Sequence, residues 1–261
     1  MTLHIIKIGG NIIDQSDALT AFLKQIAQLN QPFILVHGGG KIATSISTRL
    51  GITTQMSGGR RITNQDTLQV VTMVYAGLIN KQIVAQLQGF NCNAIGLCGA
   101  DANLIHSQKR IHPEIDFGFV GDPQKVNTKV IQQLITAGLN PVIAPVTHDH
   151  QGQLLNTNAD TIASFIAIAM VQFFKVRLHF CFEKAGVLLD VNNNESLITH
   201  INKHDYENLK NEGKIVDGML PKLDNAFAAI NAGVEEVSIL HALQLVSFIS
   251  NNENTGTRIV A

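Results

Sequence analysis

Hydrophobic residues in this chain occur in two patterns, short unbroken runs and longer stretches with helical spacing. The run at residues 5–8 leads into Gly9 and Gly10, and the run at residues 33–36 leads into His37 and three glycines. A short apolar run that ends in glycine is typical of a buried strand followed by a tight turn. Between these runs, apolar residues recur at the spacing of an amphipathic helix: Leu19, Phe22, Leu23, Ile26 and Leu29.

The same alternation continues to the end of the chain. Further strands are predicted at residues 94–98, 141–146, 176–182, 237–240 and 256–260, and further helices at residues 42–50, 126–139, 161–174 and 218–232. Strands that alternate with helices indicate a parallel sheet with crossover helices. We therefore expect an α/β fold, a three-layer αβα sandwich around an open, mainly parallel β-sheet.

The longest helical pattern covers residues 65–88 and has more apolar positions than one core-facing stripe needs. A subunit interface would use the surplus, so we expect a homodimer formed through this helix. The apolar window at residues 161–174 is shorter than the ~20 residues that a membrane span needs, which favours a buried helix.

Composition narrows the function. The chain has 261 residues, 45% of them apolar, and a formal net charge of −1, so it can bury a large core but has no global attraction to nucleic acid or acidic membranes. Cys92, Cys98 and Cys181 are too few and too widely spaced for a disulfide framework or a zinc site. With no signal-peptide pattern at Met1, a cytoplasmic protein is expected.

The glycine turns are the best candidates for a ligand site. Lys7 stands inside an apolar run directly before Gly9 and Gly10, and a buried cation beside exposed backbone N–H groups suits an anion. The sequence has neither the P-loop pattern nor a dinucleotide fingerprint at this turn. A single glycine after a strand is often only a turn, but several at the carboxyl ends of parallel strands indicate a ligand crevice.

Six short segments together resemble one known family. They are Lys-Ile-Gly-Gly at 7–10, Val-His-Gly-Gly-Gly at 36–40, Gly-Arg-Arg-Ile-Thr at 59–63, Leu-Asn-Thr-Asn-Ala-Asp at 155–160, Asp-Gly-Met-Leu-Pro-Lys at 217–222 and Gly-Thr-Arg-Ile at 256–259. In this order they resemble the amino-acid kinase family, specifically its N-acetylglutamate kinases. The resemblance implies phosphoryl transfer from ATP, carried with Mg²⁺, to the side-chain carboxylate of N-acetyl-L-glutamate in arginine biosynthesis.

The resemblance also assigns roles to residues. Lys7 and Lys222 match the two lysines that stabilise the transferring group, and Asp160 matches the acid that holds both of them. The substrate would contact Gly39, Gly40, Arg61 and Asn156. The nucleotide would contact Gly9, Gly10, Glu183, Gly186, Val187, Leu188, Lys214, Ile215 and Val216. Residues 1–172 would form an N-terminal lobe for acylglutamate binding and dimerisation, and residues 173–261 a C-terminal lobe for the nucleotide; no protein residue is assigned to a metal.

Several of these residues have simpler interpretations. Asp160 or Asn158 could cap the helix that follows, and Lys222 alone could be a solvated charge. Arg60 is as plausible as Arg61 without the family position. His148-Asp149-His150 suggests a metal site only weakly, because no Cys or Glu cluster lies nearby in sequence. Cys181 fits a core position better than a nucleophile.

Some questions stay open at this stage. Glu183 replaces the aspartate that the family commonly has, and Lys184 adds a cation beside it. The substrate nitrogen could carry an acetyl or a succinyl group. Another carboxylate or carbamate kinase of the same fold, or a non-catalytic ligand-binding member, is the alternative. The family's arginine-inhibited hexamers have an extra N-terminal helix, so we expect an arginine-insensitive dimer.

Overall fold

A computed structural model describes residues 1–190, 192–214, 219–251 and 255–260. The strands are β1 (Thr2–Ile8), β2 (Phe33–His37), β3 (Gln55–Ser57), β4 (Arg60–Ile62), β5 (Ala94–Leu97), β6 (Ile105–Lys109), β7 (Val120–Val126), β8 (Asn140–Ile143), β9 (Val146–His148), β10 (Leu154–Thr157), β11 (Lys175–Phe182), β12 (His200–Ile201), β13 (Glu236–His241) and β14 (Thr257–Ile259). The α-helices are α1 (Gly10–Ile13), α2 (Ser16–Ile26), α3 (Gly40–Arg49), α4 (Gln65–Val71), α5 (Asn80–Gly89), α6 (Thr128–Thr136), α7 (Ala159–Met170), α8 (Lys203–Asn211), α9 (Leu220–Asn231) and α10 (Leu245–Asn251). The chain divides into two compact units, residues 1–33 with 163–261, and residues 34–162.

The first unit contains a sheet with the strand order β12-β14-β13-β11-β1. β1 is parallel to β11 and β11 is parallel to β13, whereas β14 is antiparallel to β13. The register pairs Lys7 with Phe180 and Ile8 with Cys181, so β1 and β11 end at the same edge of the sheet. Helix α9 packs on β13, while α10 packs against α2. The carboxyl ends of β1 and β11 thus form one edge, where open α/β sheets bind ligands.

The second unit combines a parallel sheet with a small barrel. β8 pairs in parallel with both β2 and β5, while β10, β7, β6 and β9 close into a four-stranded barrel and β3 pairs with β4 as a hairpin. β6 and β7 are consecutive and antiparallel, so residues 105–126 form a hairpin. Together with the first unit, this confirms the predicted class of an α/β fold with a mainly parallel sheet.

The predicted long helix is present but is not a uniform α-helix. Residues Thr72–Ile79, between α4 and α5, are π-helical. A π-helical turn is wider than an α-helical one and frequently occurs at functional sites. Val71, Ile79, Ile83 and Leu87 are buried, whereas Met73 and Leu78 remain exposed, as the surplus of apolar positions predicts. Gln65–Gly89 has the length and hydropathy of a membrane span, with 44% of its most apolar window buried; a core helix passes the same test.

Candidate active site

A cavity of about 210 Å³ lies at the carboxyl ends of β1 and β11 in the first unit. It is lined by Lys7, Gly9, Gly10, Asn11, Phe180, Cys181, Phe182, Glu183 and Lys222. The cavity therefore combines three charged side chains, those of Lys7, Glu183 and Lys222, with an apolar wall formed by residues 180–182. The structure brings together five of the residues that the sequence assigned to the site: Lys7, Gly9, Gly10, Glu183 and Lys222.

Lys7 lines the cavity from the penultimate position of β1. The residue is only 8% exposed, and a buried cation is energetically costly unless it interacts with an anion or with hydrogen-bond acceptors. The Gly9 amide donates to the Cys181 carbonyl oxygen at 2.8 Å, and a Cβ atom at Gly9 would lie 3.3 Å from Cβ of Phe182. Gly9 therefore lets the turn approach β11 closely, which keeps Lys7 at the cavity wall. At Gly10 a Cβ atom would meet nothing within 4 Å, so the turn faces open space there.

Glu183 is positioned by a residue that sequence reasoning did not single out. The Asn11 side-chain amide donates to Oε1 of Glu183 at 2.5 Å. Because Asn11 follows the glycine turn directly, the carboxylate at the end of β11 is tied to the turn after β1. The longer side chain of Glu183 has a defined partner, and its carboxylate lies in the same cavity as the ammonium groups of Lys7 and Lys222.

Lys222 lies in the first turn of α9. Residues 215–218, which precede this helix, lie outside the described residues. They include the predicted nucleotide contacts Ile215 and Val216 and the first two residues of the family segment, Asp217 and Gly218. Lys214 is described and forms an exposed ion pair with Glu212 at 2.7 Å. Its contact with the nucleotide stays a prediction.

Of the remaining predicted nucleotide residues, Gly186 and Val187 lie against Thr257 of β14, and Leu188 pairs with Leu197. The amide of Val187 donates to Oγ1 of Thr257 at 2.8 Å, and Leu188 forms a β-bridge with Leu197. A Cβ atom at Gly186 would lie 2.7 Å from Oγ1 of Thr257. Gly186, Val187 and Leu188 are not among the residues that line the Lys7 cavity, and a role for them in nucleotide binding stays a prediction.

In the second unit, His37 fixes the start of the triple-glycine loop. The fully buried ring lies 2.8 Å from the Gly38 carbonyl oxygen through Nδ1 and 3.2 Å from the Asn80 amide nitrogen through Nε2. A neutral ring that donates from Nδ1 and accepts at Nε2 satisfies both contacts. Burial lowers the pKa of His37 to about 4, so this histidine holds the loop as a neutral group.

Arg61 fixes the other side of the same loop. Its Nη2 donates to the Gly40 carbonyl oxygen at 2.9 Å and to Oγ1 of Thr44 at 2.8 Å, and its Nη1 donates to Oγ1 of Thr54 at 3.0 Å. The residue is 8% exposed. Three of the five donors of the guanidinium group therefore have protein acceptors. Both N–H groups of Nη2 are used, so a carboxylate that binds through both arms of the fork has to displace either the Gly40 carbonyl oxygen or the Thr44 hydroxyl.

Gly39 has a backbone conformation that excludes other residues. Its φ is +145°, and a Cβ atom would lie 2.3 Å from Cδ1 of Ile79 and 3.2 Å from Cδ1 of Tyr75. The π-helical segment that contains both side chains therefore packs directly against the loop. This contact connects the widened turn of the long helix to the predicted substrate residues.

Asn156 is linked to the arginine through one hydroxyl group. Its amide donates to Oγ1 of Thr63 at 3.0 Å, and Thr63 in turn donates to the Arg61 carbonyl oxygen at 3.1 Å. The structure thus brings Gly39, Gly40, Arg61 and Asn156 into one hydrogen-bonded region of the second unit. Thr44, Thr54 and Thr63 were missed, and only Thr63 had a signal, because it ends the Gly-Arg-Arg-Ile-Thr segment.

Asn158, not Asp160, caps helix α7. Oδ1 of Asn158 accepts from the Thr161 amide at 3.0 Å, which is the bond that an N-cap residue makes. Asp160 lies within the first turn, so its carboxylate is not needed for capping. This removes the simpler interpretation of Asp160, and its predicted position between the two lysines stays a prediction.

Comparison with known proteins decides the family. The family model described as the amino acid kinase family matches residues 2–241. The chain belongs to the amino acid kinase family. The acetylglutamate kinase of Cytophaga hutchinsonii is 56% identical over 260 residues, which cover 99% of this chain and 98% of that protein.

Solved structures agree with membership of the amino acid kinase family at the level of the fold. N-acetylglutamate synthase from Neisseria gonorrhoeae superposes with a TM-score of 0.86 and 19% identity, and covers 100% of this chain but 59% of that one. Carbamate kinase from Giardia lamblia bound to AMP-PNP superposes with a TM-score of 0.72 and 14% identity, and covers 99% of this chain and 98% of that one. The predicted αβα architecture of the amino acid kinases is thereby confirmed.

Proposed function

We propose that this chain transfers the γ-phosphoryl group of ATP to the side-chain carboxylate of N-acetyl-L-glutamate, a step in arginine biosynthesis. One observation carries the proposal: Lys7 and Lys222 line the same cavity at the first glycine turn. The 56% identity to an acetylglutamate kinase over nearly the whole chain supports this choice of substrate among the amino acid kinases.

The reaction needs charge stabilisation more than proton transfer. A glutamate side chain has an ordinary pKa of about 4.3, so it is already ionised at neutral pH and needs no general base. One carboxylate oxygen forms a bond to the γ-phosphorus while the bond from that phosphorus to the β-phosphate oxygen breaks. The products are the acyl phosphate and ADP. Since an anion attacks a polyanion, fixed cations are the main requirement.

Lys7 and Lys222 supply those cations in the proposed mechanism. Burial of Lys7 to 8% exposure reduces solvent screening of its charge, so its attraction to the transferring oxygens is strong. Lys222 stabilises the same oxygens from the first turn of α9. Asp160 keeps the two ammonium groups in position, and Glu183, held by Asn11, limits how far Lys7 and Lys222 can move.

ATP and Mg²⁺ fit the chemistry of this donor set. Two lysines and open space above Gly10 suit the phosphates, and we propose that Mg²⁺ is bound mainly by these phosphates and water. The predicted nucleotide residues beyond the cavity, Gly186 to Leu188 and Lys214 to Val216, belong to this proposal. So does the division into residues 1–172 for the acylglutamate and 173–261 for the nucleotide.

The substrate is proposed to bind in the region around Arg61. Its guanidinium group would bind the α-carboxylate in place of the Gly40 carbonyl oxygen or the Thr44 hydroxyl, and Asn156 would bind the substrate through its side-chain amide. The amides of Gly39 and Gly40 would face the reacting carboxylate. Part of the polar stretch at residues 101–116, the loop that follows β6, would help to shape the pocket for the acyl group. This group is acetyl in the first form of the proposal and succinyl in the second.

We also propose a cytoplasmic homodimer formed through the long helix. Met73 and Leu78 are 57% and 43% exposed on this helix. Burial of both side chains against a second copy would remove apolar surface from water.

A hydroxylamine assay tests the reaction. Purified protein is incubated with ATP, MgCl₂ and one acceptor, and hydroxylamine traps any acyl phosphate as the hydroxamate. We expect product with N-acetyl-L-glutamate. Product with N-succinyl-L-glutamate alone would select the second form of the proposal. Product only with glutamate, aspartate or carbamate would indicate another kinase of the same fold, and no product with any acceptor would favour a non-catalytic member.

A further inference from the structure

A second cavity, of about 300 Å³, lies at one end of the barrel in the second unit. It is lined by Asn103, His106, Lys125, Val126, Asn127, Thr128, Lys129 and His150. None of these residues belongs to the proposed kinase site. Two of the lining residues, His106 and Lys125, pair with each other near the start of β6 and the end of β7. The cavity therefore lies at this end of the two strands.

Three histidine rings gather beside this cavity. The ring centroids of His106 and His150 are 4.3 Å apart, and those of His148 and His150 are 4.9 Å apart. His148 is also within 2.9 Å of Oδ1 of Asn103 through Nε2. The rings are tilted against one another by 57° and 53°. The three rings are therefore in contact with one another without parallel stacking.

A metal ion is not the ligand that this arrangement suits. Within the described ranges, no group of three or more His, Cys, Asp or Glu residues could hold a metal ion. The chemistry of the other lining residues has to decide which ligand the cavity suits.

The charge of the cavity wall selects an anion. Lys125 and Lys129 both line the cavity, and neither is in an ion pair with any residue that the structure describes. Among the described lining residues none is acidic. The neighbouring carboxylate of Asp149 is occupied, since its Oδ1 accepts from the amides of Gln151 and Gln153 at 2.7 and 3.0 Å. Asp149 is not among the residues that line the cavity, so the ionisable lining groups are Lys125, Lys129, His106 and His150.

Helix α6 adds to the positive electrostatic potential of this cavity. The helix has nine residues, and Thr128 and Lys129 in its first turn line the cavity. The N-terminus of a helix carries partial positive charge and backbone N–H donors. Lysines, imidazoles and helix amides are the usual donors to phosphate oxygens.

We propose that this cavity binds a phosphate group of a small phosphorylated molecule, at a site separate from the kinase site. The separation follows from the barrel: Val120 pairs with Asn156 at one end of β7, and Lys125 pairs with His106 at the other. The spacing of Val120 and Lys125 corresponds to about 16 Å along a strand. The inference does not depend on the proposed reaction.

Nuclear magnetic resonance of the histidine rings provides a local test. The full chain, labelled at histidine, is titrated with sodium pyrophosphate against sodium chloride of equal ionic strength. We expect the signals of His106 and His150 to shift saturably. Pyrophosphate bound at the Lys7 cavity would leave these signals unchanged, so the readout separates the two sites whether or not the chain is active.

Variants of the cavity wall complete the test. Lys125→Gln with Lys129→Gln should weaken the affinity for pyrophosphate about tenfold or more, because hydrogen bonds to charged groups are lost. Lys203→Gln, a change at an exposed lysine on α8, is the matched control and should leave it unchanged. His150→Asn removes a ring but suits the φ of +64° at this position, since Asn tolerates left-handed backbone.

Each result of the titrations either supports or overturns the phosphate site. Saturable shifts that are lost in the double lysine variant and weakened in His150→Asn support the proposal. Three results overturn it: no shift with pyrophosphate at millimolar concentration, an affinity that the double variant does not change, or tighter binding of citrate than of pyrophosphate, which would indicate a carboxylate site.

Discussion

Nδ1 of His4 and Nε2 of His179 lie 2.9 Å apart inside the sheet of the first unit. Both residues are fully buried. The chain of contacts continues from Nδ1 of His179 to Oγ of Ser238 at 2.7 Å and from Nε2 of His4 to Oε1 of Gln31 at 2.5 Å. Since the Gln31 oxygen can only accept, the bonds run in one direction, from the Ser238 hydroxyl through both neutral rings to Gln31.

This pair should make stability depend on pH below neutrality. Burial lowers the pKa of His4, and burial with the charge of His4 lowers that of His179 well below 6.5. The unfolded chain then binds more protons than the folded chain below pH 6.5, so the free energy of unfolding falls as the pH drops from 6.5 towards the lowered pKa values. His37 acts in the same direction. The lowering of its pKa from 6.5 to about 4 corresponds to a loss of about 3 kcal/mol in the free energy of unfolding by pH 4.

Thermal unfolding between pH 8 and pH 4.5 checks this expectation. Tm should be nearly constant above pH 7 and should fall below pH 6.5. His4→Gln should reduce the slope of Tm against pH, whereas His204→Gln, at an exposed position on α8, should leave it unchanged. Equal slopes in both variants and the parent chain would mean that the buried pair does not titrate on unfolding.

Replacement of Lys222 should affect turnover more than binding. Lys222→Ala should lower kcat about a hundred- to a thousandfold, as expected when one group that stabilises transition-state charge is lost, with a smaller change in KM for the acylglutamate. Steady-state kinetics with the hydroxamate assay measure both constants. Lys203→Ala is the matched control for charge. A change confined to KM would assign Lys222 to ground-state binding.

Replacement of Arg61 should chiefly change the affinity for the amino acid. Arg61→Lys should raise KM about tenfold or more, because an ammonium group cannot reproduce the fork that contacts Gly40, Thr44 and Thr54. Arg60→Lys is the comparison, made one residue earlier on the same strand. An unchanged KM in Arg61→Lys with a raised KM in Arg60→Lys would move the substrate role to Arg60.

Two adjacent glycines of the loop should respond differently to alanine. Gly39→Ala places a Cβ atom 2.3 Å from Cδ1 of Ile79 at a φ of +145°, which should cost about 1–3 kcal/mol of stability and displace Gly40. Gly38→Ala is the matched control, because a Cβ atom there meets nothing within 4 Å. Tm and hydroxamate formation should fall in the first variant only; equal effects would contradict the packing of the loop on Ile79.

The oligomeric state tests the surplus apolar face of the long helix. Light scattering should give the mass of a dimer for the parent chain, and a monomer after Met73→Glu with Leu78→Glu, since two charges would have to be buried in the interface. Met56→Glu changes a methionine of similar exposure, 55% against 57% for Met73, on strand β3, and should leave the dimer intact. A hexamer in the parent chain would contradict both the interface and the expected insensitivity to arginine.

The positions of strands and turns could be predicted because they depend on local patterns. The run at residues 5–8 became part of β1, and the helix predicted at residues 65–88 agrees within one residue with the observed helical residues 65–89. Lys7 was recognisable as unusual because a cation within an apolar run is costly wherever the strand packs. The resemblance of six short segments identified the family, and no property of a single segment would have done so.

The tertiary structure decided which side chains meet. Asn11 and Glu183 are 172 residues apart in sequence, Asn156 and Thr63 are 93 apart, and His4 and His179 are 175 apart. The sequence also left the cap of α7 open between Asn158 and Asp160, and did not predict the π-helical segment that packs on Gly39. Hydrophobic periodicity repeats over a few residues and so reports local structure, whereas hydrogen bonds between distant polar side chains form only after the sheet register and helix packing fix their positions.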